Sequence, residues 1–198
     1  MGLRICAVFH SDKQSVEAGQ PPAVAVNPPM TMTGMMKIDA LVEKIRKDPR
    51  LPTSFDGLCS SRLARALDTA SVLALRFDLD IGTMKGLGQM ANKEGDVVIK
   101  YPGCETEDMV VWQRNAMSSV RELSDDLDCL DQDATLIVVS HRPIIGGLMA
   151  WSRGIIGDHG AIDEIVRNPE LAKEGYVVFD YEPNEDDPDE DTIIEVPR

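Results

Sequence analysis

The chain has few groups that could lock it together covalently or through a metal. Its four cysteines, Cys6, Cys59, Cys104 and Cys129, are widely spaced and form no Cys-x-x-Cys pair. That speaks against a disulfide framework and leads us to expect reduced thiols in a cytoplasmic protein. The three histidines, His10, His141 and His159, make no His-x-x-x-His or His-Glu-x-x-His string and sit in no cysteine cluster, so no metal site is expected. No apolar run approaches the length of a membrane span, and the opening MGLRICAVFH lacks the architecture of a cleavable signal peptide. Basic residues are scarce: 20 Lys and Arg stand against 34 Asp and Glu, a formal net charge of −14. Such a balance excludes nucleic acid and anionic membrane as broad partners, because both need basic surface. Half of the excess lies in the last 17 residues, where Glu182 to Arg198 hold eight acids and one base. The acidic stretch around 182–191 is expected to be a solvated loop.

The remainder is ordinary globular material: 198 residues, 43% hydrophobic, with no repeat and no dividing linker. One domain over 1–198 is expected. Leu3 to Phe9 suits a buried strand, and the stretch 11–29, broken by QPP and NPP, suits a loop. A helical pattern runs from Thr33-Gly34 to about Lys47, stopped by Pro49 and Pro52. Gly57 to Ser60 reads as a short strand, and Arg62 to Phe77 as a helix with Ser60 or Ser61 as its N-cap. Residues 84–104 show no clear periodicity; a long helix is expected from about Glu105 to Leu127. LIVVS at Leu136–Ser140 is the clearest buried strand, followed by a helix whose first turn holds Pro143. Tyr176–Tyr181 and the TIIEV run near the C-terminus read as late strands, and His159 reads as a loop residue. This alternation predicts an α/β fold, a three-layer α/β/α sandwich around a mostly parallel sheet.

Two histidines occupy matching places, His10 directly after ICAVF and His141 directly after LIVVS. If those strands lie parallel, both imidazoles stand at the carboxyl edge, where open α/β sheets bind ligands. Arg62 and Arg65 begin a helix that follows a short strand, and a helix start suits an anion. Two imidazoles and an arginine around such a start make a phosphate pocket.

These residues resemble the histidine phosphatase (phosphoglycerate mutase-like) superfamily. Phe9-His10-Ser11 stands where that family has Arg-His-Gly, and Met30-Thr31-Met32-Thr33-Gly34 resembles its Leu-Thr-x-x-Gly stretch. Ser61-Arg62-Leu63-Ala64-Arg65-Ala66-Leu67-Asp68-Thr69-Ala70 matches its Ser-x-Leu-x-Arg-Ala-x-x-Thr-Ala motif. Pro102-Gly103-Cys104-Glu105-Thr106 is similar to its Pro-Gly-Gly-Glu-Ser turn, and Val138-Val139-Ser140-His141 to the context of its second histidine. The motifs fall in family order along almost the whole chain. The resemblance implies a phosphomonoester hydrolase in which His10 forms a phosphohistidine, Arg65 grips the phosphoryl oxygens and His141 donates to the same group. It implies no metal or organic cofactor, and a small phosphorylated molecule or phosphate as partner.

Two departures bear on activity. Phe9 replaces the family's first arginine and Ser11 its glycine; Lys13, Arg142 and Arg62 are the cations that could compensate. Gln89 stands near the place of the family's proton-donating Glu, and Arg142 where another branch has Asp, leaving Glu94, Asp96 or Asp12 as candidate acids. The alternative is therefore a catalytically impaired relative that binds a phosphorylated ligand or a protein without turnover. A second phosphatase chemistry is suggested by Cys59 and Arg65 at Cys-x5-Arg spacing. A loop of that kind needs Gly or Asn to wrap a phosphate, and none lies between them. Met30, Met32, Met35 and Met36 are expected to fill a core, or else to line a hydrophobic substrate pocket.

Overall fold

A computed structural model describes residues 2–12, 29–84, 86–88, 113–120, 122 and 134–181. Its strands are β1 (Leu3–Phe9), β2 (Gly57–Ser61), β3 (Ile81–Met84), β4 (Ala134–Ser140) and β5 (Tyr176–Tyr181). They form one sheet in the order β3-β2-β4-β1-β5. Every neighbouring pair is parallel except β1 with β5, which is antiparallel and closes one edge.

β1 and β4 are apolar along their length because the sheet is covered on both faces. Leu3, Ile5, Ala7, Leu136 and Val138 point into one core, with Met117, Ile144, Leu148 and Ile162. Cys6, Val8, Ile137 and Val139 alternate into the other, with Ile38, Leu41, Val42, Ala66, Ala70 and Leu73. The second core is built by α1 (Met32–Lys47) and α2 (Ala64–Phe77). The first is built by the described part of α3 (residues 113–120), α4 (Arg142–Trp151) and α5 (His159–Arg167). The result is the expected α/β/α sandwich. Gly146 lets α4 approach α5: a Cβ there would stand 2.5 Å from Val166 Cγ2.

Several details depart from the sequence expectations. β3 has no signal in the sequence pattern; IGTM is a four-residue edge strand with a glycine, too short and too exposed to show alternation. α2 starts at Ala64, with Leu63 as N-cap and no side-chain cap bond, because Ser60 and Ser61 remain in β2. His159 is not in a loop but opens α5, whose cap is Asp158 accepting from the Ala161 N–H at 3.1 Å. Of the four methionines only Met30 is buried; Met32, Met35 and Met36 are exposed on α1 and fill no core. The rest of the helix expected over 105–127, the TIIEV strand and the acidic loop lie outside the described residues. Among the described residues no helix is long and apolar enough to cross a membrane.

The end of α1 is tied to β5 by a polar knot. Asp48, the C-cap of α1, accepts from the buried Tyr176 hydroxyl at 2.7 Å and from Arg50 Nε at 2.9 Å and Nη2 at 2.6 Å. The arginine contacts, followed by the tyrosine hydroxyl, hold this carboxyl well below the usual carboxylate range. Tyr176→Phe removes one bond to a charged group while Arg50 continues to satisfy the rest. We expect a loss of about 1.5 kcal/mol in urea unfolding, with an unchanged m-value. A loss within error would show that water replaces the hydroxyl at no cost.

Candidate active site

The parallel register pairs Phe9 with Ser140, and the ladder continues one step as the His10 N–H bonds to the Ser140 carbonyl at 3.1 Å. His10 and His141 therefore leave the sheet side by side, their ring centroids 4.9 Å apart. β2, on the other side of β4, delivers Ser61 and then α2, whose first turn carries Arg65. Arg65 is 2% exposed and His141 1%.

Arg65 spans the two imidazoles. Its Nε lies 3.2 Å from His10 Nε2, and its Nη2 lies 3.4 Å from His141 Nδ1. A guanidinium only donates, so both ring nitrogens present lone pairs to it. The other ring atoms agree. His10 Nδ1 is 2.9 Å from the Ser11 carbonyl, which only accepts, so Nδ1 carries the proton and Nε2 bears the lone pair. His141 Nε2 is 2.9 Å from Ser61 Oγ. Burial, then the neighbouring His10 and Arg65, hold the His141 imidazole neutral by lowering its pKa well below the ordinary value. Burial also lowers the Arg65 pKa from its ordinary value.

The loop that carries His10 is pinned against two helices. Ser11 donates its N–H to Thr69 Oγ1 at 3.1 Å on α2 and its hydroxyl to the Gly34 carbonyl at 2.9 Å on α1. A Cβ on Gly34 would stand 2.7 Å from Met30 Cγ, 2.9 Å from the Asp12 carbonyl and 3.0 Å from Ser11 Oγ. Glycine is needed here for this close approach. Thr31 caps α1 by accepting from the Gly34 N–H at 2.9 Å. His10, Ser11, Asp12, Thr31 and Thr33 line an open cleft of about 590 Å³.

The candidate residues divide clearly. His10, Arg65 and His141 converge. Arg142 turns away from the cleft, donating Nε to the Val166 carbonyl at 2.7 Å and Nη2 to the Asn168 carbonyl; it caps α5 instead of facing the histidines. Arg62 is exposed just before α2. Asp12 reaches the cleft with its carboxylate 2.5 Å from Lys37 Nζ. Lys13, Gln89, Glu94 and Asp96 lie outside the described residues. Phe9 is half-buried and packs on the core that contains β1 and β4. Cys59 is buried in mid-strand and its thiol is pushed up to about 12 by that burial, so it is no thiolate nucleophile. Among the described residues no group of three His, Cys, Asp or Glu could hold a metal ion. Ser61, absent from the sequence candidates, is the fourth member; its only signal was its place in the arginine motif.

No family model matches the chain, and no curated protein matches it in sequence. Solved structures do match in fold. A structure named mycobacterial hydrolase 1 aligns with 82% of this chain and 86% of its own, at TM-score 0.55 and 16% identity. Phosphoserine phosphatase from Entamoeba histolytica, solved with 3-phosphoglyceric acid, aligns over 82% and 84% at TM-score 0.52 and 14% identity. Mycobacterial glucosyl-3-phosphoglycerate phosphatase, solved with VO3, aligns over 81% and 84% at TM-score 0.51 and 19% identity. The chain thus has the fold of the histidine phosphatase superfamily that its motifs resemble.

The buried neutral His141 has a stability consequence. Its folded-state pKa lies below that of the unfolded chain, so its contribution is complete above about pH 6.5 and is lost as pH falls toward the folded value. Acidification from pH 7.5 to 5 should destabilise the fold by up to about 1.4 kcal/mol per pH unit below 6.5. His141→Gln should flatten that part of the profile in urea unfolding. An identical slope in the variant would assign the proton to another group.

Proposed function

We propose that the chain is a phosphomonoester hydrolase that works through a phosphohistidine on His10. The observation that carries this is the His10 Nε2 lone pair, aimed at a buried arginine beside a second imidazole, at the carboxyl edge of a parallel sheet and over an open cleft. A neutral imidazole is a competent nucleophile near pH 7. In the first step Nε2 bonds to phosphorus and the ester P–O bond breaks with its electron pair on the leaving oxygen, which takes a proton from solvent in the open cleft. In the second step a water oxygen bonds to phosphorus, the Nε2–P bond breaks with its electron pair returning to Nε2, and phosphate leaves as the water gives up a proton to solvent. Arg65 would turn its donors from the imidazoles to the non-bridging oxygens, where charge must be stabilised during transfer. The partner is a small phosphorylated molecule; the resemblance of the motifs and the shared fold with known phosphatases support the class, and the substrate's identity stays open.

A second reading, binding of a phosphorylated ligand or protein without turnover, is favoured by one observation. Phe9 packs on the core where the family has an arginine, and Arg142 is committed to α5. Among the described residues the site then holds one guanidinium where the family has two. A lost donor of this kind costs on the order of 10²–10³ in rate.

Metal-free turnover of p-nitrophenyl phosphate, compared with His10→Ala and Arg65→Lys, decides between them. We expect turnover that is abolished in His10→Ala and reduced on the order of 10²-fold in Arg65→Lys, because an ammonium cannot reproduce the fork. No turnover, but a melting temperature raised by vanadate, supports binding alone. Neither response would sink both readings.

A further inference from the structure

We propose that Ser11 is a positioning residue for the nucleophile: its hydroxyl bolts the chain just after His10 to α1 and so fixes where His10 Nε2 points. This rests on the phosphatase reading above and adds to it a residue that acts through His10.

The imidazole is aimed by its other nitrogen. His10 Nδ1–H donates to the Ser11 carbonyl at 2.9 Å, a contact between the ring and the next residue of the chain. The ring can turn about its side-chain bonds, so the direction of Nε2 follows from where that carbonyl is held. The sheet fixes His10 from behind, through its N–H on the Ser140 carbonyl at 3.1 Å. The Ser11 carbonyl lies beyond the sheet and needs restraints of its own. Ser11 provides two of them. Its N–H donates to Thr69 Oγ1 at 3.1 Å, and its hydroxyl donates to the Gly34 carbonyl at 2.9 Å. The first bond holds the peptide unit before the Ser11 Cα, and the second holds the residue itself. The Asp12 carbonyl, accepting from the Thr31 N–H at 2.9 Å, closes the stretch on its far side. Thr69 Oγ1 also donates to the Arg65 carbonyl at 2.8 Å, so Ser11 is tied to the turn of α2 that carries the arginine.

Ser11 stands where the resembled family has glycine, and the geometry makes that difference a gain in rigidity. Among the described non-glycine residues only Asp78 has a positive φ, so the backbone at Ser11 asks for no glycine. Serine therefore removes backbone freedom directly after the nucleophile and adds a bond to α1. The helix is shaped to receive it: a Cβ on Gly34 would stand 3.0 Å from Ser11 Oγ. A restraint of this kind acts on the geometry of attack, whereas the anion's oxygens are the business of Arg65. Loosening it slows bond formation between Nε2 and phosphorus and leaves ground-state anion binding in place.

The full chain is compared with Ser11→Ala and Ser11→Gly in three measurements. These are kcat/KM for p-nitrophenyl phosphate without metal, the Kd of orthovanadate, which bonds to the attacking atom, and the Kd of inorganic phosphate, which does not. In Ser11→Ala we expect kcat/KM to fall about tenfold and vanadate to bind about tenfold more weakly, with phosphate within about twofold of the wild type. Ser11→Gly should lose more than Ser11→Ala, because it also regains backbone freedom. An unchanged kcat/KM or vanadate affinity in Ser11→Ala would overturn the proposal and leave the phosphatase reading intact. So would phosphate affinity falling as far as vanadate affinity, which is general damage to the site. A wild type without turnover would overturn the phosphatase reading, and this proposal with it. Should Ser11→Ala fail to fold, Ser11→Gly gives the same three readings.

Discussion

The parallel pairing of β1 with β4 is the constraint from which the site follows. Because Phe9 lies opposite Ser140, the next residue on each strand leaves the sheet at the same level, and those residues are His10 and His141. Both strands are buried on both faces, so a slip of one residue would turn two apolar rows into the wrong cores as well as separate the imidazoles. Hydrophobic burial thus fixes the distance between two catalytic candidates that are 131 positions apart in the chain. β2 joins β4 on the other side under the same constraint and brings Ser61 and Arg65 to the same edge.

A buried arginine between two imidazoles is costly to desolvate, and its neighbours lessen that cost in a particular way. Each histidine gives it a lone pair; the Ser11 carbonyl holds His10 in that tautomer, and Ser61 Oγ at 2.9 Å is placed to accept from His141 Nε2–H. The −14 of the whole chain says little about this place, because half of it belongs to the last 17 residues. Locally the described site carries one net positive charge, since Lys37 and Asp12 pair with each other. An arrangement of a few donors is enough for anion recognition, even in an acidic protein.

Much of the fold was legible because its signals are strong and local. The runs LRICAVF and ATLIVVS can only be satisfied between two helical layers, and the helix starts and stops around Gly34, Pro49 and Pro143 have direct steric causes. The convergence of His10, Arg65 and His141 was legible from their places after strands and at a helix start. What the sequence does not show depends on side-chain direction. Arg142 adjoins His141 in sequence, yet the first turn of α4 points its guanidinium to the carbonyls that end α5. Ser61 looked like a helix cap, but β2 runs on to it and turns its hydroxyl to His141. The methionines of α1 looked like core by type; the periodicity of the helix buries Gly34, Ile38 and Leu41 and leaves Met32, Met35 and Met36 outside.

A crystal structure with orthovanadate tests the central claim most directly, since vanadate adopts the geometry of phosphoryl transfer and bonds to the attacking atom. The account predicts vanadium bonded to His10 Nε2, its oxygens held by Arg65, with His10 Nδ1 still on the Ser11 carbonyl. Vanadate bound elsewhere in the cleft, with Arg65 still spanning the two imidazoles, would contradict it.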